Sequence, residues 1–306
     1  MKPGRAARRA LPEAGDALSI LTWNLGYAGL GAGSDFKVDG GKHYFPPSRG
    51  AVCANADAIA AFLREQDADL ILLQELAYGG PINYWVDLKK RVDAAMPDRA
   101  RMFFADFKTR FMPWPLAMKH GQGAYGRCAL EGAEMVPLPA EDEAILGVKR
   151  RYAALAARLA GPQRWTIASI HFAAFDLGAA VRARQLRALL DWAQREYERG
   201  RRVVIGGDFN FRLAETDFPS TTDLKYLFWL YPFPHEALPP DWRIAADATT
   251  PSVRTNERPY RAGENYTAVI DGFILSPNVA LEEVRGVDLG FAHSDHNPVR
   301  IRVRAV

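Results

Sequence analysis

The sequence predicts an α/β fold in one domain, and three observations carry that expectation. Apolar segments of strand character alternate with segments whose apolar residues recur at helical spacing. Hydrophobic residues make up 48% of the 306, enough to fill a substantial core. No linker, repeat, low-complexity stretch or heptad interrupts the chain. One domain is therefore expected over residues 18–306, preceded by a flexible basic tail over residues 1–17.

Residues 18–24 are apolar on both alternating faces, which suits a strand buried on both sides. Residues 26–50 are rich in Gly, Pro and Asp and read as a long loop, with a mobile lid as one reading of residues 31–50. Val52, Ala56, Ile59, Phe62 and Leu63 then form a helical stripe. Residues 69–75 are the next strand. Residues 81–96 read as a helix with Trp85, Leu88 and Val92 on one face, and 101–105 as a short strand. Residues 108–123 look irregular, with Pro113, Pro115 and several cations. Residues 123–130 and 150–159 are expected strands, and 165–171 is a stronger one. Leu186, Leu189, Leu190 and Ala193 mark another helix. Residues 202–208 form a strand ending in glycines, and 267–275 and 299–303 close the pattern.

The bulk charge argues against a dedicated nucleic-acid binder without excluding nucleic acid as a partner, since an active-site rim needs only a few cations. A formal net charge of +3, with the cations spread along the chain, is not the basic stripe of a dedicated nucleic-acid binder. The two cysteines, Cys53 and Cys128, lie far apart in apolar surroundings and read as free thiols. The first seventeen residues contain cations but no apolar run, and no window is long enough to span a membrane. A cytoplasmic protein is expected.

The chemistry gathers where strands stop. Asn24 ends the first strand, Glu75 the second and His171 a later one. Asp208 and Asn210 follow Gly206-Gly207, Asp271 interrupts an apolar run, and Asp295-His296 precede the last strand. Taken singly, most of these have ordinary structural readings: an Asx turn, a solvated strand end, a satisfied histidine. Asp271 is harder to dismiss, because a buried carboxylate costs several kcal/mol, on the order of 3–5, without its partner. Several sites behaving alike exceed what turns require.

Trp23-Asn24, Leu73-Gln-Glu75, Ser169-Ile-His171, Gly207-Asp-Phe-Asn210, Ile270-Asp271 and Ser294-Asp-His296, in this order, resemble the motif series of the endonuclease/exonuclease/phosphatase superfamily. That group includes deoxyribonuclease I, abasic-site endonucleases, neutral sphingomyelinases, inositol polyphosphate 5-phosphatases and deadenylases. The resemblance implies a four-layer α/β sandwich, two mixed sheets packed face to face with helices outside. It also implies a divalent-metal-dependent phosphoesterase that hydrolyses a phosphodiester by in-line attack of an activated water. A phosphomonoesterase acting on inositol or lipid phosphates is the alternative, and an inactive phosphate-binding adaptor a more distant one.

The roles implied agree with the chemistry. Glu75, with Asn24 and Asp295, would hold Mg²⁺, for which Mn²⁺ could substitute; magnesium needs few carboxylates because it keeps several waters. Asp208 would orient or deprotonate the attacking water, and Asn210 would hold the phosphate. His296 would face the phosphoryl oxygens, with Asp271 fixing its tautomer and favouring its cation. His171 would donate to a non-bridging oxygen. Asp208 and His296 both qualify to take the water's proton, and the set suits one metal or two.

The substrate expected is a phosphoester, in nucleic acid or a lipid headgroup, and no protein partner is implied. Asp208-Phe-Asn-Phe-Arg212 and His171-Phe-Ala-Ala resemble 5-phosphatase runs. However, Tyr266-Thr-Ala-Val-Ile-Asp271 stands where that branch carries Pro-Ala-Trp-Cys-Asp-Arg, so inositide specificity does not follow. Lys108, Arg110, Lys119, His120 and Arg127 could form a phosphate-binding rim. The aromatic segment 218–242 reads best as a packed insertion.

Overall fold

The computed structural model describes residues 11–109, 112–113, 115–141, 150–174 and 176–306. In chain order these form β1 (Ala17–Asn24), α1 (Arg49–Arg64), β2 (Leu70–Ala77), α2 (Leu88–Ala95), β3 (Ala100–Lys108), β4 (Lys119–Gly126) and β5 (Leu130–Leu138). They continue with β6 (Tyr152–Leu159), β7 (Trp165–His171), α3 (Ala180–Glu198), β8 (Arg202–Asp208), β9 (Phe211–Arg212) and β10 (Tyr231–Pro232). The remainder holds β11 (Arg243–Ala245), β12 (Val253–Arg254), β13 (Thr267–Ala268), β14 (Asp271–Leu275), β15 (Val279–Gly286) and β16 (Val299–Ala305).

Two mixed six-stranded sheets carry the fold, in the orders β15-β16-β1-β2-β4-β3 and β11-β14-β8-β7-β6-β5. Their inner faces meet in one apolar layer that includes Leu18, Ile20, Leu72 and Ile301 from the first sheet and Leu155, Ile167, Val204 and Phe273 from the second. Helices α1 and α2 cover the outside of the first sheet through Val52, Ile59, Leu63 and Val92. Helix α3 covers the second through Leu186, Leu189 and Leu190. The result is the expected four-layer sandwich, and it explains why the central strands are apolar on both faces.

Several boundaries differ from the sequence reading, each for a local reason. The helix expected over 81–96 is α-helical only from Leu88. Tyr84 and Trp85 adopt left-handed backbone (φ 50° and 58°), which no helix accommodates. Asp87 then caps α2 by accepting from Lys90 N at 2.8 Å. Trp85 consequently points to solvent rather than into the helix face. The strand expected over 123–130 divides into β4 and β5, and β3 and β4 pair from Ala100↔Gly126 to Lys108↔Lys119. β15 escapes detection because it is an edge strand with charged residues on its open face.

Of the expected tail, residues 1–10 lie outside the described residues. Pro12 O accepts from Ala129 N and Ala14 N donates to Ala160 O, both at 2.8 Å, and Ala17 pairs with Arg304. The 26–50 segment is pinned from outside. The buried Arg254 guanidinium donates to the carbonyls of Leu30 and Gly31 at 3.0 Å and of Ser34 at 3.2 Å. Both cysteines are free thiols. Among the described residues, no helix is long and apolar enough to cross a membrane.

Phe273 lies fully buried between the sheets. Replacing it with Ala should cost roughly 3–5 kcal/mol of stability, measured by urea unfolding.

Candidate active site

Strand direction brings the polar residues together. β1 and β2 are parallel, with Asn24 opposite Gln74. β7 and β8 are parallel, with His171 opposite Asp208. β14 runs antiparallel to β8, so its first residue, Asp271, also faces Asp208. β16 runs antiparallel to β1, with Val299 opposite Thr22, which places Asp295 and His296 beside the end of β1. The C-terminal ends of four strands and the starts of two others therefore share one edge.

Local backbone then aims the side chains. β2 carries an irregularity between Leu73 and Leu76, and within it Glu75 has φ 51°. This bulge turns Glu75 into the cleft while Gln74 stays between the sheets, bonded to Thr22 and Ser169. Gly207 has φ 149°, and a Cβ there would lie 2.1 Å from Ile170 O, so the turn into Asp208 requires glycine. Asn210 has φ 52°; its N donates to Asp208 Oδ1 at 2.9 Å and its Nδ2 to Phe172 O at 3.0 Å. The buried Arg182 holds this turn from α3, donating to Asn210 O and, at 2.8 Å, to Trp229 O.

Seven of the eight residues singled out from sequence line one cleft: Asn24, Glu75, His171, Asp208, Asn210, Asp295 and His296. Asp271 lies behind them, with Oδ2 2.9 Å from His296 Nδ1. Asp208 Oδ2 is the hub. It accepts from Asn24 Nδ2 at 3.0 Å and lies 3.7 Å from His171 Nε2 and 3.9 Å from His296 Nε2. His171 Nε2 is also 3.8 Å from Glu75 Oε1. Trp23 Nε1 donates to His296 O at 2.9 Å, and Ser294 Oγ to Asn24 O at 2.8 Å, which lock the last loop to β1.

The electrostatics follow from burial and like charges. Burial, reinforced by Asp295, raises Glu75 to about 8, although 15% of its side chain stays exposed on the cleft floor. Burial and then Asp271 raise Asp208 to about 6, against the opposing pull of His296. Burial disfavours a charged His296, but the Asp271 carboxylate overrides it and holds the imidazole up at about 10. Burial and the neighbouring Arg150 push His171 well below its ordinary value. His171 is thus neutral and His296 cationic at neutral pH.

A cation fits this donor set. Burial and the neighbouring Asp295 carboxylate raise the cost of ionising Glu75, which a hard divalent ion relieves. Asp208, Asp271 and His296 also lie close enough to share an ion. There, however, His296 Nδ1 is already engaged by Asp271.

Sequence reasoning missed several cleft residues. Arg150 Nη2 lies 3.4 Å from His171 Nδ1 and 3.6 Å from Asp106 Oδ2. Tyr27, Asp39 and Asn256 line the cleft as well. Asn256 Nδ2 bridges two carboxylates, donating to Asp39 Oδ2 at 3.0 Å and Asp295 Oδ2 at 2.7 Å. These sit in loops or beside a strand start, where no periodicity marks them. The expected cationic rim assembles only in part: Lys108 and Lys119 pair at the β3–β4 tip, whereas Arg127 pairs with Asp67 and donates to Gln66 O at the opposite end of the sheet. His120 faces Asp106 at 3.1 Å, and Arg110 lies outside the described residues. In the aromatic segment Trp229 reaches the cleft, while Phe233 and Trp242 pack into the core beside α3.

The sequence profile described as the Endonuclease/Exonuclease/phosphatase family matches residues 21–296. No curated protein matches the chain at a significant level. The fold is similar to the crystal structure of an endonuclease/exonuclease/phosphatase from Beutenbergia cavernae (TM-score 0.62, 19% identity, 95% of this chain and 72% of that one). It is similar too to truncated TDP2 of Caenorhabditis elegans (0.58, 13%, 94% and 98%). A third similar structure is the human nocturnin catalytic domain with bound sulfate (0.55, 17%, 96% and 96%).

Asp271→Asn removes the charge that keeps His296 protonated. The His296 pKa should fall from about 10, because burial is then opposed only by the more weakly acting Asp208 and Asp295 carboxylates, as followed by NMR titration of the ring.

Proposed function

Because the chain belongs to the endonuclease/exonuclease/phosphatase family, whose members hydrolyse phosphoesters, we propose that it cleaves a phosphodiester with the help of a divalent cation, preferably magnesium. The observation that carries this reading is the juxtaposition of two groups in one cleft. A carboxylate pair short of countercharge, Glu75 and Asp295, lies beside an Asp208 carboxylate flanked by a cationic His296 and a neutral His171.

Glu75 and Asp295 would hold the cation, with Asn24 beside them, and Mn²⁺ could replace Mg²⁺ there. The bound cation would neutralise charge on the phosphoryl oxygens. Asp208, at about 6, is ionised at neutral pH and would orient the attacking water and accept its proton. His296, held near 10, is a poor base and instead faces the phosphoryl group as a cation oriented by Asp271. Arg150 donates toward His171 Nδ1, so the ring proton sits on Nε2 and points into the cleft as a donor. Asn210 would position the phosphate from its fixed turn. Water adds to phosphorus in line with the departing oxygen as its proton passes to Asp208. The ester P–O bond breaks, and the departing alkoxide takes a proton from solvent water, so that a monoester and an alcohol leave.

Turnover of plasmid DNA, RNA, lipid diesters, inositol phosphates and bis(p-nitrophenyl) phosphate, with magnesium or with chelator, tests the reaction. Glu75→Ala should lower kcat for a responsive diester by about 10³-fold or more while circular dichroism stays unchanged. Undiminished turnover would remove Glu75 from the metal site.

Glu75 also ties metal binding to pH. Its folded value lies above the ordinary one, so the metal-free fold holds this proton more tightly than the unfolded chain does. That contribution to stability is full below about pH 4.5 and is lost as pH rises toward 8. A cation needs the carboxylate free, so the Tm gained on adding magnesium should grow between about pH 5 and about pH 8. In Glu75→Ala the growth should be absent.

A further inference from the structure

Among the described residues, eleven large apolar side chains are exposed, and eight of them lie in the connections that follow β1, β2, β3 and β9. The exceptions are Leu130 and Met135 on β5 and the terminal Val306. Of the eight, Tyr44, Phe45, Trp85, Met112 and Leu116 are 40–63% exposed and belong to three neighbouring loops. Tyr84 Oη donates to Pro46 O at 3.0 Å, the Phe45 and Tyr84 rings lie 6.4 Å apart, and Trp85 Nε1 donates to Pro115 O at 2.7 Å. The three loops therefore form one ridge.

The ridge shares the edge of the cleft. Its first loop supplies Phe36 and Asp39 to the cleft wall. Its second follows β2 just beyond Glu75, and its third is the β3–β4 tip beyond the Lys108↔Lys119 pair. Leu224 is exposed as well, and the nearby Tyr226 ring packs against Gly40 of the first loop.

Among the described residues of the three ridge loops, the exposed charged side chains are lysines. Lys37, Lys42 and Lys108 are exposed, and Lys119 Nζ lies 4.2 Å from the Tyr78 ring centre. The carboxylates among the described residues of these loops are engaged: Asp35 with His43, Asp39 with Asn256, and Asp87 at the start of α2. Met112 and Leu116 have no π-face on which a base could stack. Aliphatic and aromatic tips ringed by lysines match the headgroup and acyl boundary of an anionic bilayer.

We infer that this ridge docks the protein on an anionic lipid surface and presents a phosphodiester headgroup to the cleft. The headgroup part of this inference rests on the hydrolase reading above; the docking does not. The full chain should co-sediment with mixed phosphatidylglycerol–phosphatidylcholine vesicles and less with phosphatidylcholine alone. Phe45→Ser/Leu116→Ser should lower that partition roughly tenfold or more. The same variant should hydrolyse soluble bis(p-nitrophenyl) phosphate at the wild-type rate. Leu130→Ser/Met135→Ser, with the same apolar loss on the distant β5, should bind vesicles as the wild type does. Docking is overturned if the wild type stays in the supernatant, or if the ridge variant partitions unchanged. It is overturned equally if the ridge variant loses affinity for a single-stranded oligonucleotide and not for vesicles. Vesicle binding without turnover of any diester would sustain the docking and sink the hydrolase reading instead.

Discussion

Everything in the cleft depends on one register. His171, Asp208 and Asp271 stand side by side across three adjacent strands, β7, β8 and β14. Backbone hydrogen bonds fix that row, and a shift of one residue would send all three side chains to the wrong face. Gly207 makes the row continuous with the Asp208–Asn210 turn, since any side chain there would strike the carbonyl of Ile170. The first sheet then brings Asn24, Glu75, Asp295 and His296 against this row, because the two sheets pack face to face through a dry apolar layer.

Gathering four carboxylates at one edge has an electrostatic consequence. Each is costly to ionise out of water unless a positive charge compensates it. The protein compensates Asp271 with His296 and leaves Glu75 beside Asp295 without a comparable partner. Two histidines of the same cleft thereby diverge in state. His296, bonded to a carboxylate, is a cation; His171, facing the Arg150 guanidinium, is neutral. Environment rather than residue type assigns their roles.

Three segments around the cleft are tied down by buried polar side chains. Arg254 anchors the 26–50 segment, Arg182 anchors the turn at Asn210, and Asn256 ties Asp39 to Asp295. Buried guanidinium groups suit this task, because one planar fork satisfies several loop carbonyls that would otherwise be orphaned. A preorganised site of this kind needs little rearrangement to bind an ion or a phosphate.

Much of this was legible in the chain. Fully apolar strands at 18–24, 165–171 and 202–208 announced a buried α/β sandwich, since only strands covered on both faces read that way. The polar residues ending those strands marked the site, because a periodic apolar segment makes its first polar neighbour conspicuous. What the chain could not reveal was decided by contacts between distant segments. Trp85 looked like part of a helix face until the left-handed turn at Tyr84 placed it in solvent. Arg150, Asn256 and Asp39 lie in segments with no period, so only the packing of sheet against loop brings them to the cleft. The charge of His296 and the unmet charge of Glu75 are tertiary properties as well, because a pKa is set by neighbours in space and not by neighbours in sequence.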